Sequence, residues 1–103
     1  MFNFSTTLTK NRVEVHLQGD LDIDGTEIVE QQLIPLLGKY EIVSINFKNV
    51  PFVDSSGIGL LISMVQALQD QNIKITIFNL TPDVLEVFEL LQIPDILGDD
   101  VFV

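Results

Sequence analysis

The stretch richest in chemistry is Asp54-Ser55-Ser56-Gly57. It stands where an apolar run gives way to helical spacing, and Asp54, Ser55 and Ser56 are each good helix N-caps. One reading is therefore purely structural: the polar residues cap a helix, and Gly57 lets another segment pack closely. The other concerns the serine hydroxyl. At a helix start it lies on the positive end of the macrodipole, beside backbone N–H groups with no intrahelical acceptor. A phosphate added there is accommodated locally and need not unfold the domain.

Other chemistries find little support. A serine nucleophile needs a base, and the single histidine, His16, falls mid-strand at a position predicted to face outward. Asp20, Asp22 and Asp24 resemble part of a calcium loop, but neither its glycine nor its closing glutamate follows in register. Asp22 and Asp54 could in principle act as paired carboxylates in a small hydrolase, yet no base or metal motif accompanies them. There is no cysteine and no glycine-rich phosphate loop. The expectation is a non-enzyme with no catalytic residue, no metal site and no cofactor.

The elements that must position the serine are short strands alternating with amphipathic helices. Residues 2–9 read as a first strand. Arg12 to Gln18 reads as a second, in which Val13, Val15 and Leu17 alternate with polar residues. The pair is too close in sequence to hold a helix between them, so an antiparallel hairpin is expected. A helix is predicted from Asp24 or Gly25 to about Leu37, with Ile28, Leu33, Leu36 and Leu37 inward and with Pro35 ending or distorting it. Residues 42–47 are almost continuously apolar, which predicts a central strand covered on both faces. A helix from the serines to about Gln71, a strand over 73–78, and a helix opened by Thr81-Pro82-Asp83 follow. Ile93-Pro94 is expected to end that last helix, leaving a final turn and a short edge strand at Val101 to Val103. The fold class is thus α/β, a single domain over residues 1–103 with a mixed sheet of four to five strands and three to four helices.

The helix after the serines carries two apolar stripes. Ile58, Leu61, Ile62, Val65 and Leu68 follow core spacing, while Leu60, Met64 and Ala67 fall opposite, bordered by Ser56 and Gly59. The second stripe is either more core beneath the C-terminal segment or a partner-binding patch beginning at the serine. Composition narrows the partner. The net charge is −10, and no base follows Asn79. Phosphate backbones and anionic membranes repel such a surface, so neither nucleic acid nor a membrane is expected, whereas a basic protein would be steered in. The opening residues lack the basic start and apolar run of a secretory signal, and a cytoplasmic location is expected.

Taken together, these segments resemble the STAS domains, specifically the bacterial anti-sigma factor antagonists. Gly19-Asp20-Leu21-Asp22 resembles the family's Gly-x-Leu-Asp, Ile45-Asn46-Phe47 its apolar-Asp-apolar strand, and Phe52 to Gly59 its central motif; Thr26 and the stretch from Thr81 to Ile93 also fit. The resemblance implies a phosphorylation switch. Ser55, directly after the aspartate, is the implied phosphoacceptor, with Asp22, Asn46, Asp54, Ser56 and Gly57 around it and Ile58, Gly59, Leu60 and Met64 meeting the partner. That partner is implied to be an anti-sigma factor that is also a serine kinase with an ATP-binding fold. It is bound by the unphosphorylated antagonist, which frees a sigma factor; a serine phosphatase resets the phosphorylated form. Asn46 departs from the aspartate common in the family and removes a charge. The alternative within the family is a scaffold subunit of a signalling or lipid-transport complex, with no phosphate transfer.

Overall fold

The computed structural model describes residues 2–103. Strand β1 (Asn3–Thr9) turns through Lys10-Asn11 into β2 (Arg12–Gln18), and the two pair antiparallel. After a 3-10 turn (Ile23–Gly25) and a π-helical stretch (Ile28–Leu33), α1 (Ile34–Leu37) leads to β3 (Ile42–Asn49). Helix α2 (Ser55–Gln69), β4 (Lys74–Phe78), α3 (Pro82–Leu90) and α4 (Ile93–Leu97) complete the domain. The sheet order is β1-β2-β3-β4, with β2, β3 and β4 parallel. A lone parallel bridge from Ile77 to Phe102 is all that forms of a fifth strand. A mixed four-stranded sheet with four helices is the architecture expected from the sequence.

Strand alternation decides the core. Val13, Val15 and Leu17, Val43, Ile45 and Phe47, and Ile75 and Ile77 all point to the helix side and are buried. Phe88 of α3 meets Phe47 edge to face at 6.0 Å between ring centroids, tying α3 to the central strand.

Four expectations need correction. First, β3 is central but not covered twice. Its second face carries half-buried Ile42 and Asn46 and buried Ser44, across which the neighbouring strands lay Arg12 and Thr76, with Thr76 Oγ1 3.2 Å from Ser44 Oγ. Polar side chains cover that face; among the described residues no helix does. Second, the helix before β3 is wound in three pieces. Its buried stripe is Val29, Leu33 and Leu37, while Ile28 and Leu36 are only half-buried. The π winding immediately precedes Pro35, which has no N–H to donate, so the chain changes pitch there and carries on. Third, Ile93-Pro94 does not end a helix but starts α4. The break comes at Gln92, whose φ of 57° is left-handed. Fourth, the second apolar stripe of α2 is core. Leu60 and Met64 are 8% and 2% exposed and Ala67 is half-buried, because α2 touches α1, the π-helical stretch and α4 as well as β4; Ile58 of the first stripe, also expected at the partner surface, is 6% exposed.

Candidate functional site

The site is built where β2 and β3 end. Gly19 to Leu21 runs alongside the segment after β3, held by N–H donation from Gly19 to Asn49 O at 3.0 Å and from Leu21 to Phe52 O at 3.0 Å. In return the N–H of Asp54 donates to Leu21 O at 3.3 Å, and Leu21 forms an isolated parallel bridge with Val53. These bonds place Asp22, one residue beyond Leu21, next to the start of α2. They also explain Gly57. A Cβ built there would lie 1.9 Å from Leu21 O, so the helix can approach this backbone only without a side chain.

Asp54 is the N-cap of α2, extended at φ −96° and ψ −174°, and its Oδ1 accepts from the N–H of Gly57 at 2.8 Å. Ile58 N–H donates to Asp54 O at 2.9 Å, which closes the first turn. Ser55 takes the first helical position and is exposed; Ser56 is half-buried and Gly57 buried. The N–H groups of Ser55 and Ser56 have no intrahelical acceptor, as at any helix start. A hydroxyl at this position thus projects into solvent beside free donors and the positive helix end, with one carboxylate adjacent. Removing the cap by Asp54→Ala is expected to cost about 1 kcal/mol of stability. A urea unfolding midpoint measures it, and Asp54→Asn, which keeps the acceptor oxygen, should recover most of the loss.

The remaining expected residues divide. Asp22 caps the 3-10 turn, its Oδ1 accepting from Asp24 N–H at 3.0 Å. Together with Phe2, Asp20, Asp24, Glu27, Ile28 and Gln32 it lines a cleft of ≈ 460 Å³, whose four carboxylates face no base. The sequence motif pointed to Asp22 but gave no sign of this cleft, whose far wall comes from the π-helical stretch. Among the described residues no group of three or more Asp, Glu, His or Cys side chains converges to hold a metal ion.

Asn46 is not brought to the serine. Its neighbours Ile45 and Phe47 face the helices, so alternation turns Asn46 to the opposite face of the sheet. There its Oδ1 accepts from Lys48 N–H at 2.9 Å and from Asn79 Nδ2 at 3.4 Å. His16 shares that face, with Nε2 3.0 Å from Glu14 Oε2. Of the four expected partner contacts, Ile58, Leu60 and Met64 are withdrawn into the core, and only Gly59 is exposed.

A mixed sheet with helices on one face, and an exposed serine heading the helix against its parallel strands, defines a small α/β domain of one-sided build. The chain belongs to the STAS domain family, whose model matches residues 3–102. It is similar to the anti-sigma-B factor antagonist of Staphylococcus aureus (strain NCTC 8325 / PS 47), 28% identical over 97 residues, covering 92% of this chain and 89% of the relative. It is also similar to the anti-sigma-B factor antagonist of Bacillus subtilis (strain 168), 22% identical over 95 residues, covering 92% of this chain and 87% of the relative. Among solved structures, the Bacillus cell fate determinant SpoIIAA in its phosphorylated form superposes with a TM-score of 0.69 at 25% identity, covering all of this chain and 89% of the other. Among the described residues no helix is long and apolar enough to cross a membrane.

Proposed function

We propose that this protein is an anti-sigma factor antagonist that works in the cytoplasm and is switched by phosphorylation of Ser55. The observation that carries the reading is the placement of that hydroxyl: exposed, first in α2, and held by the Asp54 cap in a segment that Leu21 pins to the sheet. The relatives named anti-sigma-B factor antagonist, and the likeness to SpoIIAA in its phosphorylated form, support it. In this reading the unphosphorylated chain binds an anti-sigma factor that is itself a serine kinase of ATP-binding fold, and a sigma factor is freed. Phosphate transfer to Ser55 releases the chain, and a serine phosphatase restores it. The partner approaches over the Asp54–Gly59 turn, on the side where Gly59 is open and Asp22 is adjacent. The chain contributes no catalytic group of its own; Ser55 is the substrate residue.

The test is incubation of the chain with ATP and anti-sigma factors of kinase fold, read by intact mass and phosphosite mapping. One phosphate is expected, on Ser55. Ser55→Ala should gain none while staying bound to the partner. Undiminished labelling of Ser55→Ala, or labelling abolished only by Ser56→Ala, overturns the assignment. If no candidate partner transfers phosphate, and Ser55→Asp recovers the same partners as the natural chain, the scaffold alternative replaces it.

A further inference from the structure

We propose that β1 is a self-pairing edge: two copies of this chain join antiparallel, Thr6 opposite the partner's Thr6, into one continuous eight-stranded sheet. The inference does not rest on the role of Ser55. It begins with an unprotected edge. β1 is the outermost strand of the sheet, whereas β4 at the other side is partly met by Phe102. Exposed edges are normally blunted by charge, proline or a bulge. Over its seven residues, Asn-Phe-Ser-Thr-Thr-Leu-Thr, β1 has no charge and no proline, and its register with β2 runs unbroken from Asn3 to Thr9. All of it but Phe4 is exposed.

The hairpin decides which groups are on offer. With a two-residue turn, Thr9 and Arg12 form the hydrogen-bonded closing pair. Thr9, Thr7, Ser5 and Asn3 then bond β2, and Phe4, Thr6 and Leu8 direct their N–H and C=O groups outward. An antiparallel partner strand must match outward residues to outward residues. Among such registers, the one centred on Thr6 pairs all seven residues. It sets Phe4 against the partner's Leu8 on the helix side, and sets Ser5 and Asn3 against the partner's Thr7 and Thr9 on the other. Leu8, 55% exposed, and half-buried Phe4 are the two large apolar side chains of this strand, so each meets the other across the new pairing.

Charge fits the same register. The net charge of −10 opposes association of two copies in general. At this edge, however, Lys10 of one copy comes opposite the partner's Phe2, and Phe2 lines the cleft that holds Asp20, Asp22 and Asp24. Twofold symmetry makes that basic-to-acidic approach twice, with Arg12 near the same end of the hairpin. Phe2 itself is 4% exposed and packed in the core, so the strand end that receives Lys10 is fixed.

The experiment is sedimentation of the full chain from micromolar concentration up to roughly 1 mM, the weak end of measurable association. A doubling of mass with concentration is expected. Thr6→Lys, at an exposed position, puts two like charges on the twofold axis and should hold the chain monomeric, while Thr6→Val should still dimerise. Circular dichroism of both variants confirms folding. Because the chain has no cysteine, Thr6→Cys provides a register probe. Directly opposed residues in a hydrogen-bonded antiparallel pair have Cα atoms about 5.5 Å apart, within disulfide reach. Thr6→Cys should therefore oxidise to a linked dimer several-fold faster than Ser5→Cys or Thr7→Cys. A monomer at every concentration, a doubling that persists in Thr6→Lys, or equal oxidation at all three positions overturns the proposal.

Discussion

Gly57→Ala is expected to destabilise the domain by about 3 kcal/mol or more, beyond most single substitutions. The added methyl would sit 1.9 Å from the carbonyl oxygen of Leu21, and the next obstruction, Leu21 C at 2.7 Å, is backbone too. No side chain can rotate out of the way. Either α2 or the Gly19–Asp22 segment must shift, and that segment is bonded to Phe52 and Asp54. Two residues on, Gly59 offers the opposite case: a Cβ there meets nothing within 4 Å. Gly59→Ala should stabilise the helix by about 0.5–1 kcal/mol, since alanine loses less backbone freedom on folding. Urea unfolding of the two variants side by side measures both. Equal and small effects would show that the close approach at Leu21 does not constrain the helix.

Ser55→Asp is expected to weaken binding to the proposed anti-sigma factor partner by roughly two decades. One added charge within ~5 Å of a carboxylate, at an effective dielectric of ~20, costs ~3 kcal/mol before screening, and about 1.4 kcal/mol is a tenfold change in affinity. In the free domain part of this is offset, because an acidic residue in the first turn favours the helix. At a partner surface fitted to a neutral hydroxyl there is no such offset. A phosphate, with roughly 1.5 to 2 charges, should weaken binding further, by two to three decades in all. Calorimetric titration of the partner measures the affinity. An unchanged Kd for Ser55→Asp would contradict the charge argument, and an unaltered unfolding midpoint would show that the variant acts at the surface and not through the fold.

Much of this was legible in the residues because local rules acted without competition. Val13, Val15 and Leu17 alternate against Glu14, His16 and Gln18, and β2 runs over the residues that alternation marks. Thr81 caps α3 by accepting from Val84 N–H at 3.3 Å, with Pro82 in the first turn, as the types of those residues require. The start of α2 at Ser55 followed from three capping residues in a row. Legibility failed where one residue pattern suits two environments. The apolar run of β3 would fit a strand buried on both faces, yet Ser44 is buried by Arg12 and Thr76 reaching across from neighbouring strands.

By itself, then, the sequence determined the order and kind of the elements from β1 to α3 and the capped serine at the start of α2. Each depends on neighbours a few residues apart. Only the tertiary structure decided that Leu60 and Met64 belong to the core, that Asn46 faces away from the serine, and that Asp22 lies next to the start of α2 and lines an acidic cleft. The physical reason is that burial of a helix face depends on what stands around the helix. α2 is enclosed by β4, α1 and α4, segments before and after it in the chain, and no period within α2 encodes their approach.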